Sequence, residues 1–390
     1  MGTVFFFLTI LTAPFLPSGA TVPRWALLSI VCGVLICRIN LSWPFLAMCL
    51  YLLVMAWVAP IGYDAAFILW HFLLFTVLFC YAQSLDLKRI AIGAALGMAV
   101  NSGFVIGQVL GWNVIPQLAN NSGLFFNHNM GSEAAAMILA LVIAYRLWWL
   151  VPGLLPTLYY GSRAPILALG AAAGLALWRR SRFAALITTL GFALFVLTFM
   201  AREGGPHGLF ESDDLMQRVG VWMDLAPHLT VWGHGLGSFI VEYPLFQHHS
   251  TPLVLRFENA HNDFLQVAYE LGLVGALLIL VLLMRMLAAP ASPAWYAMIV
   301  FLVEACFGFP LYEPVSGALA ACCAGVIFAG CTSLRGLLPD RGSRIWARVA
   351  DYELGSFRPR GSVFPPGSVA PVGSGLQRHH APSASGGAGG

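Results

Sequence analysis

Charge is the scarcest ingredient of this chain. Asp, Glu, Lys and Arg make up 9% of its 390 residues, against about 25% in an ordinary soluble domain. So few charges cannot cover the surface of a water-soluble body of this size, which excludes a soluble enzyme. A mean hydropathy of +0.80 leaves a polytopic membrane protein. Lysine is almost absent, with Lys88 the single one. Segments of alternating polar and apolar residues are lacking, which argues against a β-barrel. The 8 cysteines all fall in apolar runs, with no CxxC and no Cys/His cluster. They read as small core residues, and neither a disulfide nor a metal site is implied. The net charge of +3 is too small to point to a nucleic-acid partner. No repeat of fixed period is present.

What the chain has is continuous apolar sequence. A helical span needs roughly 20 such residues, and the candidates run near 3–19, 23–38, 41–60, 63–83, 89–111, 130–146, 147–161, 163–178, 182–200, 263–287, 294–311 and 314–334. The expected fold is therefore all-α, a polytopic helical membrane protein of about twelve transmembrane helices. Its organisation is nine spans over 1–200, a long loop over 201–262, three spans over 263–334, and a Gly/Ser/Pro-rich tail over 335–390 expected to be disordered. The first apolar run, Val4 to Leu16, lacks a basic leader and reads as an uncleaved helix. Arginines cluster in every second short loop and in the tail. By the positive-inside rule both termini are expected in the cytoplasm and the 201–262 loop outside.

That loop holds three arginines, seven acidic residues and six of the 10 histidines. Loops longer than about 15 residues are functional or disordered, and this one has structure-forming patterns. Ser212-Asp213-Asp214 suits the start of a short helix, on which Leu215, Val219, Trp222 and Met223 recur at helical spacing. Arg218 has two readings there, an ion pair with Asp214 one turn away or a catalytic cation. In Trp232-Gly233-His234-Gly235-Leu236-Gly237-Ser238-Phe239 the alternate glycines permit either an anion-binding nest of backbone amides or a plain tight turn. Glu258-Asn259-Ala260-His261-Asn262-Asp263 leads into an apolar helix with Asn262 or Asp263 as its N-cap. His261 then sits at a helix N-terminus, where the dipole disfavours imidazolium. A neutral imidazole suits a general base, and a capping role is the alternative. Glu270 follows on the Asp263 face as either a functional or a structural acid.

Two further elements face the same side. Gly161-Ser162-Arg163-Ala164-Pro165 opens a helix with an arginine that defies the charge trend, which a diphosphate partner would explain and snorkelling to headgroups would also accommodate. Asn127-His128-Asn129 precedes the sixth candidate helix and offers polar contacts, with Glu133 one turn further in. His71, Glu304 and Glu313 are polar groups in or near spans to which no role is assigned.

These motifs, in this order over residues 120–280, resemble the O-antigen ligase and O-antigen polymerase superfamily. The resemblance rests on Asn127-His128-Asn129-Met130-Gly131, Gly161-Ser162-Arg163, Gln217-Arg218-Val219-Gly220-Val221-Trp222, the Trp232–Phe239 stretch and His261-Asn262-Asp263. It implies a many-helix, GT-C-like glycosyltransferase of the bacterial inner membrane with a periplasmic active site and no metal or other cofactor. The implied partners are an undecaprenyl-diphosphate-linked glycan donor, an acceptor such as lipid A-core, and membrane lipids. The implied catalytic residues are Arg163, Arg218 and His261: the arginines hold the diphosphate and the histidine activates the acceptor hydroxyl. Asn127, Asn129, Gly235, Gly237, Asn262 and Asp263 are expected as further substrate contacts. A polymerase of the same superfamily, a protein-glycosylating ligase and a transporter of lipid-linked glycans are the alternatives.

Overall fold

The computed structural model of the chain describes residues 24, 28–29, 31–32, 43–82, 86–112, 121–125, 127–179, 181–182, 213–249 and 257–337. All regular structure among them is helical. The helices are α1 (Trp43–Trp57), α2 (Gly62–Ala82), α3 (Leu87–Val109), α4 (His128–Ala144), α5 (Leu155–Tyr159), α6 (Ala164–Trp178), α7 (Asp213–Leu225), α8 (Ser238–Phe246), α9 (Asp263–Leu287), α10 (Pro293–Ala305) and α11 (Pro314–Leu337). Their starts follow local chemistry. Asp86 accepts from the Lys88 and Arg89 amides at the head of α3, and Ser292 accepts from the Trp295 amide ahead of Pro293 in α10. Such caps satisfy amides that have no partner inside the helix.

Three helices, α2, α3 and α9, are long and apolar enough to cross a membrane, and α4, α6, α10 and the first part of α11 are shorter apolar helices. The protein is thus a helical one of membrane-associated character. The candidate spans 3–19, most of 23–38 and nearly all of 182–200 lie outside the described residues, as does the 338–390 tail.

The candidate span 147–161 is not one continuous helix. It forms a 3-10 stretch, Trp148–Gly153, followed by the five-residue α5. Pro152 and Pro156 lack the amide an α-helix needs there. The segment still runs from one end of α4 to the other. The Leu147 amide bonds Val142 O at the foot of α4, and the Ser162 amide bonds Ser132 Oγ in its first turn. A 3-10 rise of about 2.0 Å per residue covers that height in fewer residues than an α-helix. The stretch is tied to α3, where the Thr157 hydroxyl meets Asn101 Nδ2 at 3.0 Å and Ser102 Oγ at 2.7 Å.

Contacts at the helix ends fix directions. At one end meet the end of α1, the starts of α2, α4, α6, α9 and α11, and the end of α10. There Leu236 N bonds Met55 O, Gly237 packs on Asp64 and Leu311 N bonds Asp263. At the other end Arg179, after α6, lies 4.2 Å over the Trp295 ring at the start of α10. The main core fills the bundle with Ala, Leu, Met and Ile of α2, α3, α4, α10 and α11. A separate small core of Val221, Leu225, Phe239, Tyr243, Ala260 and Tyr269 packs α7 and α8 onto the head of α9. Residues 213–249 and 257–262 therefore form a folded cap. On α7 the buried face is Val221 and Leu225, while Met223 points outward at 49% exposure.

The cap is keyed into a break in α9. Gly272 has φ 70 and ψ 177, conformations open to glycine alone. In an unbroken helix the Leu273 and Val274 amides would bond the Tyr269 and Glu270 carbonyls. Here they bond Thr230 O and Val231 O at 3.1 and 3.3 Å. The two carbonyls instead accept from His234 N and Gly235 N at 3.1 and 3.0 Å. A Cβ on Gly272 would strike the backbone of Val231, Trp232 and Gly233. Gly272→Ala is therefore expected to destabilise the detergent-solubilised protein by about 2 kcal/mol or more, read as a lowered Tm. Gly103→Ala, in open space within α3, is the control and should stay within about 1 kcal/mol of the parent. Equal melting of the two variants would refute the key.

Candidate functional site

The residues expected from the sequence arrive at one end of the bundle, with different jobs. Asn127 caps α4, its Oδ1 accepting from the Asn129 amide at 2.9 Å, and the Asn129 carbonyl accepts from Ser132 Oγ at 2.9 Å. The Asn127 side chain is thus engaged as a cap. Ser132 in turn receives the Ser162 amide at 3.1 Å, which anchors the residue before Arg163. Arg163 stands exposed at the N-cap position of α6. Arg218, in mid-α7, donates from Nη1 to Phe307 O at 2.5 Å. That carbonyl lies just past the end of α10, where a cation meets the negative pole of the helix. The side chain of Asp214 lies outside the described residues, so the pairing with Arg218 stays open.

His261 has φ 52, a left-handed conformation uncommon for a residue with a side chain. Its ring packs edge-on against Phe309, centroids 5.2 Å apart. The helix cap is Asn262, whose Oδ1 accepts from the Leu265 amide at 3.0 Å. The cap is therefore Asn262 and not His261. Asp263 is 3% exposed and its Oδ2 accepts from the Leu311 amide at 2.8 Å. Burial and this bond make it a fastening of the α10–α11 linker.

The glycine stretch forms a turn whose amides are used within the protein. Gly233 N bonds Thr230 Oγ1, and the His234, Gly235, Leu236 and Ser238 amides bond protein carbonyls. The Gly237 and Phe239 amides are taken by the Glu270 carboxylate. Every amide from 233 to 239 apart from Ser238 and Gly233 thus serves the α9 break, Glu270 or α1, and those two close the turn itself. Gly235 and Gly237 have no amide to offer a diphosphate. Glu270 is a structural acid: it also receives Gln266 Nε2 at 3.1 Å and the Tyr312 hydroxyl at 3.3 Å.

The short linker between α10 and α11 is what the sequence reading missed. Phe307 holds Arg218, Gly308 faces Glu133 so closely that a Cβ there would meet its carboxylate, and Phe309 packs on His261. Leu311 holds Asp263, Tyr312 reaches Glu270, and Glu313 faces the Arg24 charge. Arg24 is fully buried, donates to Leu124 O at 2.8 Å and lies 4.0 Å over the Phe125 ring. Burial pushes the Glu313 carboxyl up to about 7, against the pull of Arg24 and the Ser316 amide. The only sequence signal was a run of polar and aromatic residues between two apolar ones.

Histidines of the cap are held by acids. His234 Nδ1 lies 3.0 Å from Glu242, its Nε2 2.8 Å from His228 O, and its ring stacks on Tyr269 at 4.2 Å. Asp224 accepts from the His248 and His249 amides, the Tyr243 hydroxyl and His249 Nδ1, the last at 2.5 Å. No group of three or more His, Cys, Asp or Glu residues with metal-holding geometry occurs among the described residues.

No protein-family model matches the chain, and no curated protein matches it. The geometry alone therefore speaks for the site. It offers two arginines able to bind oxyanions, a histidine able to take a proton, and buried carboxyls behind them.

Burial works to raise the Asp224 carboxyl, but donation from His249, two amides and Tyr243 outweighs it and holds it below the ordinary range. An unfolded aspartate titrates near about 3.9. A depressed folded value stabilises the cap above that pH and the gain disappears as pH falls through the folded value. Hydrogen exchange over 213–249 is expected to lose protection below about pH 4. Asp224→Asn should lose protection already at neutral pH and show no such step. An acid step that survives in Asp224→Asn would assign it to another group.

Proposed function

We propose that the chain is a membrane glycosyltransferase of the O-antigen ligase type. It transfers a glycan from undecaprenyl diphosphate to an acceptor hydroxyl, with lipid A-core as the acceptor. The single observation that supports this reading is the convergence of Arg163, Arg218 and His261. They come from three elements far apart in sequence and stand at one end of the bundle, linked through Ser132, Glu133 and the Phe307–Phe309 backbone. In this reading that end is periplasmic, both termini are cytoplasmic, and twelve helices cross the bacterial inner membrane.

The chemistry follows from the residue types. Arg163 and Arg218 neutralise charge that grows on the departing diphosphate, where fixed cations act most strongly. His261 accepts the proton of the attacking hydroxyl. Attack from the face opposite the leaving group inverts the anomeric centre. The exposed apolar helices suit a donor whose lipid tail stays in the bilayer. Neither step calls for a metal or nucleotide sugar.

The test is reconstitution of the full chain in proteoliposomes with undecaprenyl-diphosphate-linked glycan and lipid A-core. Arg218→Ala and His261→Ala are each expected to lower transfer at least about 100-fold while membrane insertion persists. Full transfer by both variants overturns the reading. Glycan growth without lipid A-core would indicate a polymerase, and glycan crossing the bilayer with no new glycosidic bond would indicate a transporter.

A further inference from the structure

The turn that docks at the α9 break carries an apolar tip on its outer side. Val231 is 52% and Trp232 72% exposed, although the adjoining backbone is bonded to Leu273 and Val274. The 17 residues from Leu225 to Val241 hold no Asp, Glu, Lys or Arg, so the tip lacks the charged residues that surfaces in water carry. Its neighbour across the Leu236–Met55 bond is the end of α1. There Trp57 is 89% exposed and Ala59 packs on Gly235. Charge is missing from that segment too, from Trp57 to Tyr63. Two tryptophans thus stand outward from two adjoining segments, and tryptophan favours the boundary between membrane and water.

Both segments continue apolar helix faces. The exposed side chains of α9 include Leu273, Leu277, Val281 and Met284, which share one stripe of the helix, and α9 is long and apolar enough to cross a membrane. Leu50, Leu53, Val54 and Trp57 form such a stripe on α1. The α9 stripe begins just past the break. Every residue from Asp263 to Gly272 is buried or half-buried, and the tip carries the exposed apolar surface on from Leu273. Length agrees with this. The path along α9 from Asp263 to Arg285 is about 33 Å at helical rise, against a hydrocarbon layer about 30 Å thick. Gly272 lies within that path, about 14 Å from Asp263, so a turn docked there stands beside the apolar layer and not above it. The backbone is equipped for a setting in which water supplies no partners. The Tyr269 and Glu270 carbonyls accept from amides of the turn, and the Leu271 carbonyl accepts from the Tyr51 hydroxyl at 2.5 Å.

We propose that the Val231–Trp232 tip of the cap is immersed in the lipid leaflet at the site end, where it completes one membrane-facing surface with α1 and α9. The occupant of that surface is bilayer lipid. Lipid covers the α9 stripe when α9 spans, and the tip adjoins Leu273 with no charged residue between them, so one occupant covers both. Trp232 lies just inside the headgroups, as does Trp57 at the end of α1. The tip thereby ties the cap to the leaflet. Lipid contact at Trp232 does not depend on which reaction the site performs.

The test is spin labelling of the full chain in vesicles of phosphatidylethanolamine and phosphatidylglycerol. A nitroxide-bearing amino acid, introduced by codon suppression so that the native cysteines stay unlabelled, replaces Trp232, Leu277 on the α9 stripe, or the exposed Lys88 at the start of α3. Each label is read for collision with oxygen, which enters lipid, and with a water-soluble nickel chelate, which hydrocarbon excludes. In place of Trp232 the oxygen-to-nickel ratio is expected to approach that at Leu277 and to exceed that at Lys88 at least about fivefold. A ratio equal to that at Lys88 places the tip in water and overturns the inference. A label that neither reagent reaches overturns it as well, and dipolar broadening between labels would then identify a second copy of the chain as the cover. Where the Trp232 replacement melts below the parent, the label in place of Val231 reads the same surface by the same criteria.

Discussion

A helix packed into an apolar bundle cannot leave its amides and carbonyls bare, and α9 breaks at Gly272. The break frees two amides and two carbonyls, and the 230–235 backbone supplies a partner for each. The bonds come as two donors and two acceptors in register, so the loop docks in one alignment. Everything that the cap contributes hangs from this join. It sets Glu270 under the start of α8, where its carboxylate takes the Gly237 and Phe239 amides, and it holds α8 against α7 through the small aromatic core. With α7 fixed, Arg218 reaches Phe307 O.

The α10–α11 linker receives what the cap delivers. Its residues meet Arg218, Glu133, His261, Asp263, Glu270 and Arg24 in turn, so a displacement of this one short segment moves these six groups together. This explains why Gly308 has no room for a side chain and why Asp263 is spent on the Leu311 amide. It also separates two kinds of acid. Glu270 and Asp263 are structural, because backbone amides occupy them. Glu304 has no hydrogen-bond partner for either oxygen, and Glu133 Oε2, Asp263 Oδ1 and Glu313 Oε1 also lack one.

Much of this was legible in the sequence, and the losses have physical causes. Apolar runs gave the helices, and Asn262 as N-cap and the helix after Ser212 stand where the spacing placed them. Arg163, Arg218 and His261 do lie at one end, as their positions along alternating helices require. The 147–161 run reads as apolar and hides Pro152 and Pro156, which turn it into 3-10 and short helical pieces. The glycines of 233–237 signal positive φ equally for a nest and for a docking turn. Only the partners, Tyr269 and Glu270 across 35 residues of chain, decide between them. Glu304 and Glu313 were left without a role because nothing local shows that Glu133, more than 170 residues earlier, faces one of them and lies within reach of the other.

An end of a bundle crowded with carboxyls looks ill suited to an anionic ligand, and the resolution lies in how each charge is neutralised. Amide donors and one tyrosine hold Glu270, the Asp263 carboxylate sits on a linker amide, and Glu313 is matched with Arg24. Each of these acids has a partner inside the protein. Arg218 differs, because the partner its Nη1 holds is the Phe307 carbonyl, which carries no formal charge. Lysine at that position would offer a compact ammonium without the planar fork that spans two oxygens. The arginine can thus keep its bond to Phe307 O while turning other donors to an oxyanion.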